Sequence, residues 1–188
     1  MISLYAGITL FAGVHLYSML APAARAELVQ NMGEQRYKGL YSLIALVGLI
    51  LLGWSYWQGR QSGELLYTPW AGVRHLTMLL VLVGFIFIFS NQSKGFIAKT
   101  VKQPFSIGIA LWSIGHLLAN GETVVVWIFS MFLGLAILDI ILSTARGKVP
   151  VHDHKWSHDV RGIGVGLVLY LVFAFLFHPY VLGIPVSG

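Results

Sequence analysis

Residues 123–144 read TVVVWIFSMFLGLAILDIILST, an apolar run interrupted by a single charged side chain, Asp139. A helix rises about 1.5 Å per residue, so a run of this length crosses the roughly 30 Å hydrocarbon core of a bilayer. Working outward, five further runs of the same character lie at Ile2–Leu20, Gly39–Trp57, Trp70–Ser90, Phe105–Ala119 and Gly162–Val181. The Phe105–Ala119 run is short. Pro104 before it suits the first turn of a helix, where a missing N–H leaves no bond unmade. Asn120-Gly121 reads as a tight turn, so the fourth and fifth runs are expected to be antiparallel neighbours. The expected fold is all-α: an integral membrane bundle of about six transmembrane helices, forming one domain over residues 1–188.

Composition agrees. The chain is 57% hydrophobic and 10% charged, against about 45–50% and about 25% in an ordinary soluble domain. So few charges cannot clothe a water-soluble surface of this size, and the bilayer is the expected solvent. There is no cysteine, which excludes disulfides, thiolate nucleophiles, thiolate-ligated zinc, iron–sulfur clusters and thioether-linked haem. The first run lacks the basic leader of a signal peptide, with no Lys or Arg before Arg25. Ala21 and Ala23–Ala24 resemble a cleavage site, but the run is read as a retained helix.

The net charge of +5 sits in short loops between apolar runs. It is therefore read as a topology signal and not as a nucleic-acid surface. Arg25, Arg36 and Lys38 occupy the first loop, Lys94, Lys99 and Lys102 the third, and Arg146, Lys148, Lys155 and Arg161 the fifth. The positive-inside bias makes these loops cytoplasmic and puts both termini on the periplasmic side of a bacterial inner membrane. Trp54, Tyr56, Trp57, Tyr67, Trp70 and Tyr180 then form an aromatic belt at the outer boundary. Gly162-x3-Gly166 permits close helix contact.

Three histidines fall inside expected spans: His15, His75 and His116. A charged side chain in hydrocarbon costs at least about 2.5 kcal/mol, so each needs a partner. Taken singly, each reads as a neutral, hydrogen-bonded packing residue. Taken together in a chain without cysteine, they admit a second reading, in which imidazoles from two helices are the axial ligands of a b-type haem. A bound metal ion is the third reading, and spacing leaves all three open. His75 and His116 both lie near the outer ends of their runs, with His178 a further candidate at that level. Arg74 is placed to meet a haem propionate. His15 lies deeper, by about 10 Å of helix rise.

Asp139 is expected to pair with Arg146 or a first-loop Arg, or to reach the interface. In the fifth loop, His154-x3-His158 would present two imidazoles on one face only if helical, and the intervening Glu of a metalloprotease motif is missing. The stretch from His152 to Asp159 is read as a solvated loop. No phosphate-binding glycine loop, nucleophile elbow or paired intramembrane carboxylates appear.

Three segments carry a resemblance. They are Gly13-Val14-His15 with Pro22 and Arg25; Gly33-Glu34-Gln35-Arg36-Tyr37-Lys38-Gly39-Leu40-Tyr41-Ser42; and Leu111-Trp112-Ser113-Ile114-Gly115-His116-Leu117-Leu118-Ala119-Asn120-Gly121. They resemble the NnrU-like membrane proteins, a family that includes the plant zeta-carotene isomerase. The resemblance implies a multi-helix inner-membrane protein associated with nitrite and nitric oxide reductases. The expected function is that of a haem-b-binding membrane protein supporting denitrification. Its expected partners are the lipid bilayer, haem and respiratory or denitrification proteins, with no nucleic acid. The alternative it implies is a haem-dependent cis–trans isomerase or oxidoreductase acting on a lipophilic substrate such as a carotenoid.

The isomerase's haem-ligating histidines match His15 and His116. Two positions depart from the pattern: Lys102-Gln103-Pro104 stands where the family often has Arg-His-Pro, and Ser113 where the isomerase has a cysteine. The resemblance thus favours His15 with His116, and the depth argument favours His75 with His116.

Overall fold

A computed structural model describes residues 1–59, 64–90, 95–147, 154–184 and 186. Among these the chain is all-helical: α1 (Ile2–Leu20), α2 (Pro22–Met32), α3 (Glu34–Gly59), α4 (Arg74–Ser90), α5 (Phe96–Val101), α6 (Pro104–Ala119), α7 (Thr123–Ala145) and α8 (Trp156–Val172). A 3-10 turn at Ala71–Val73 leads into α4, and a π-helix at Phe173–Leu182 continues α8. Four elements are long and apolar enough to cross a membrane: α1, α3, α7, and α8 with its π-helical extension. The apolar helices α4 and α6 are shorter. Together they account for the six apolar runs of the sequence.

Large apolar side chains stand exposed along these helices, among them Leu43, Ile50, Leu79, Ile141, Val168 and Leu176. A contiguous surface of this kind needs hydrocarbon around it. The chain is a multi-pass helical membrane protein.

Two loops contain more structure than their polarity suggests. The first is itself helical: Pro22 opens α2, and Gly33, with φ 87°, separates α2 from α3. There Lys38 pairs with Glu34 at 2.7 Å, and the Arg25 guanidinium sits 5.5 Å from the centre of the Tyr37 ring. In the fifth loop, α8 begins at Trp156, so His158 and Asp159 lie in its first turn.

The helices form two compact units. The first comprises Met1–Pro69 and Asn120–Leu135. Here α1 and α3 run antiparallel and cross at Gly7 and Gly48. A Cβ on Gly48 would lie 2.7 Å from the Phe11 amide nitrogen, so only glycine permits that approach. Leu4, Leu52, Val124 and Ile128 form the core. The turn before α7 is held by residues 64–67: Leu66 N–H donates to the Gly121 carbonyl, Thr123 N–H to the Glu64 carbonyl, and the Tyr67 hydroxyl to the Asn120 carbonyl. Burial, and secondarily the Glu122 carboxylate, push the Tyr67 phenol above its ordinary pKa, which keeps it a neutral donor.

The second unit comprises Trp70–Ala119 and Ala136–Gly188. Here α4 packs against both α6 and α8. Gly84 faces Gly108 across α4 and α6, and a Cβ on Gly108 would lie 2.6 Å from the Gly84 carbonyl oxygen. Gly162 and Gly166 both abut α4, at Ser90 and Ile86, so the Gly162-x3-Gly166 motif is a packing seam. Phe85, Tyr170 and Ala174 form the core, flanked by Trp112. Ser106 on α6 donates to Asp139 on α7 at 2.5 Å, and Ser143 donates to the same carboxylate at 3.3 Å. The Gln103 amide meets Thr144 at 2.9 Å. These contacts join α6 to the second half of α7 in the expected antiparallel sense. The hydroxyl partners of Asp139 are ones the sequence reading did not name.

Asp159 corrects the reading of residues 152–159 as a solvated loop. It is 2% exposed, and it accepts the Phe96 and Ile97 N–H groups at 2.7 and 3.0 Å. Its carboxylate thereby satisfies orphan donors at the start of α5, as helix N-termini require. His152 lies outside the described residues.

Candidate functional site

In the second unit, Gly115 of α6 lies against Thr77 and Val81 of α4, and Gly166 of α8 against Ile86. α6 and α8 therefore both run antiparallel to α4. The start of α4, the end of α6 and the π-helix that ends α8 converge at one end of the unit. Arg74, His75, His116 and His178 are all found there. The Arg74 guanidinium donates to the Val186 carbonyl at 2.6 Å. His75, in the first turn of α4, is exposed.

His116 and His178 are brought together. Their ring centres are 6.3 Å apart and their planes are inclined by 31°. Nδ1 of His116 lies 2.8 Å from the Trp112 carbonyl oxygen, one turn back in α6. Nδ1 of His178 lies 2.6 Å from the Phe173 carbonyl oxygen, five residues back. A carbonyl oxygen only accepts, so both Nδ1 atoms carry a proton. Metal-binding imidazoles are oriented by the same kind of backbone bond.

The five-residue reach at His178 follows from local winding. Pro179 has no N–H and would clash with a carbonyl in an ordinary α-helix. The wider π-helix accommodates it. Gly183, at φ 68°, ends the helix with its N–H on the His178 carbonyl.

His15 belongs to the first unit. Its Nδ1 meets the Phe11 carbonyl at 2.6 Å, its ring stacks on Phe11 at 4.3 Å, and Tyr41 lies 5.4 Å away. It thus shares the tautomer of His116 within an aromatic cluster.

Two buried hydroxyls near His116 make no hydrogen bond among the described residues: Ser113 Oγ, one turn back on α6, and Thr77 Oγ1 on the facing stretch of α4. Ser113 is fully buried. Such groups are rare and mark places where a further polar atom fits.

The donor set discriminates between metal-bearing groups. A protein-held zinc ion takes three or four side-chain ligands. Among the described residues no cluster of three or more His, Cys, Asp or Glu side chains could hold an ion. Two oriented imidazoles suit a metal that brings its own equatorial ligands, as haem iron does. His154 and His158 do not share a helical face: α8 begins after Lys155, and His154 packs instead on Phe96 at 6.0 Å.

The family model described as NnrU protein matches residues 3–186. The chain belongs to the NnrU family. No curated protein and no solved structure matches it. The NnrU match covers both compact units, including the stretch after Gly121 where the quoted motifs end. His15, Arg74, His75, His116 and His178 all fall within it.

Sequence reasoning gave least weight to two residues that the structure places prominently. His178, near the outer end of its run, stood only as a further candidate at the level of His75 and His116. Asp159 sits in a polar stretch with no hydropathic sign of burial. The signal available for it was Gly95, a glycine beside a short helix with no capping side chain of its own.

Proposed function

We propose that this NnrU-family chain is a haem-b-binding protein of the bacterial inner membrane that supports nitrite and nitric oxide respiration. In this reading residues 1–188 act as one domain, the first, third and fifth loops face the cytoplasm, and both termini face the periplasm. The observation that carries it is His116: a span histidine whose Nδ1 is fixed on the Trp112 carbonyl, beside a second imidazole and two unpartnered buried hydroxyls.

His116 would be one of the residues that hold the haem. His15, by resemblance, and His75, by depth, are the sequence-based candidates for the other. Arg74 supplies a cation for a propionate at the same end of the unit. Bound haem supplies one-electron redox chemistry there. The protein's part is to orient the His116 ring through Trp112 and to exclude water with the apolar faces of α4, α6 and α8. Respiratory or denitrification proteins are the partners this role implies.

The test is the visible absorption spectrum of the purified full-length protein, oxidised and reduced. A Soret band with reduced α and β bands supports the reading. A colourless protein that also fails to take up added haemin overturns it.

A further inference from the structure

We infer that Arg25 and Tyr37 form a binding site for the phosphate of an anionic phospholipid, where α2 joins α1 to α3. The site lies wholly in the first unit and does not rest on the haem reading. α2 follows α1 directly and leads into α3, and both of those helices are long and apolar enough to cross a membrane. The short helix between them is thus held at the membrane boundary. It has no buried residue, and every position from Pro22 to Leu28 is exposed. A basic side chain at this level meets the charge of anionic headgroups.

Two polar groups there lack an acceptor or donor of their own. The Arg25 guanidinium lies over the Tyr37 ring, 5.5 Å from its centre. Stacking uses the face of a guanidinium and leaves its in-plane N–H groups for an oxyanion. Among the described residues Arg25 makes no side-chain hydrogen bond. Tyr37 is 8% exposed, and its hydroxyl is buried without a hydrogen-bond partner among the described residues. Buried hydroxyls are seldom left so, and one that is marks a place for a further polar atom. A phosphodiester brings acceptor oxygens and a negative charge together. The acids close by do not fill that role. Glu34 feels the Arg25 charge but is bonded to Lys38 at 2.7 Å. Glu27 is two residues from Arg25 on α2, and residues so spaced do not face each other on a helix. The competing account is that the stack only fastens α2 to α3, with water around it. The two accounts differ in whether the charge of the lipid matters.

The experiment uses full-length protein purified in detergent. Thermal unfolding is followed with added phosphatidylglycerol, phosphatidylcholine or inorganic phosphate, and bound lipid is read by native mass spectrometry. Phosphatidylglycerol should stabilise the wild-type protein and stay bound. Phosphatidylcholine, whose choline cation offsets its phosphate, should do so far less. Arg25→Gln should weaken phosphatidylglycerol binding by about tenfold, the size expected of one charge-assisted hydrogen bond. Tyr37→Phe should weaken it by a smaller factor. Arg25→Lys keeps the charge and should fall between Arg25→Gln and the wild-type protein. Arg161→Gln removes the same charge from an exposed position on α8 and should leave phosphatidylglycerol binding unchanged.

Wild-type phosphatidylglycerol binding by Arg25→Gln overturns the assignment. Equal losses in Arg25→Gln and Arg161→Gln also overturn it, because they trace the effect to net charge and not to this site. If inorganic phosphate stabilises the protein as much as phosphatidylglycerol does, the site takes a free anion and the lipid assignment falls. Equal binding of the two lipids leaves the stack as a fastening of α2 alone and overturns the proposal.

Discussion

The Asp159 carboxylate occupies the space that a side chain on Gly95 would need: a Cβ there would lie 2.0 Å from Asp159 Oδ1. The same carboxylate holds the first two amides of α5, so Gly95 and Asp159 act as a matched pair that fastens α5 to the start of α8. Gly95→Ala should therefore expel the carboxylate and leave those donors unmet. The loss expected is about 1–3 kcal/mol, the usual penalty for stranding a buried hydrogen-bonding group. Asp159→Ala should cost a similar amount, and the double variant less than the sum, because both remove one interaction. Thermal unfolding of the four proteins in detergent checks this. Additive losses would show that the two residues are independent.

The crossing of α4 and α6 allows no side chain on Gly108, whereas a Cβ on Gly134 of α7 meets nothing within 4 Å. Gly108→Val should destabilise the protein by about 1–3 kcal/mol, as overpacking does. Gly134→Ala should be neutral or slightly stabilising, since alanine is the better helix former by up to about 1 kcal/mol. Midpoints of thermal unfolding for the two variants should move in opposite directions or differ by several degrees.

The basic loops predict the orientation of the chain. Reporter fusions at Gln92 and Gly147 should read as cytoplasmic and a fusion at Gly63 as periplasmic. A periplasmic reading at Gln92 would reverse the arrangement.

Ser113 bears on the isomerase alternative. The residue is fully buried in α6, one turn before His116, and a hydroxyl does not supply a thiolate. Haem-loaded, reduced protein in detergent should leave the cis/trans ratio of an added carotenoid unchanged, as read by chromatography. Turnover above the haem-only control would establish the enzymatic reading.

The six apolar runs were legible because a bilayer imposes length and composition together. Ile2–Leu20 matches α1 at both ends. Where boundaries moved, polar contacts moved them. α3 starts at Glu34, where Lys38 pairs with it. α8 starts at Trp156 because Asp159 is buried against α5. Hydropathy does not register a carboxylate buried on two amides. The shared level of His75, His116 and His178 followed from their distances to helix ends, and the antiparallel packing on α4 preserves it. The neighbour that His116 meets was less legible. It depends on a backbone winding set by Pro179 and the carbonyls behind it.

That winding has a consequence for reading related chains. An α-helix advances about 100° per residue, and a π-helix turns more slowly because its bonds reach one residue further. From Phe173 to His178 the lag amounts to roughly a quarter of a revolution. A helical wheel drawn straight through α8 thus assigns His178 to the wrong angular sector, although every residue before Phe173 falls correctly. In this segment a one-residue insertion or deletion acts as a phase change. It would rotate the imidazole away from His116 while leaving the hydropathy profile of the span almost untouched.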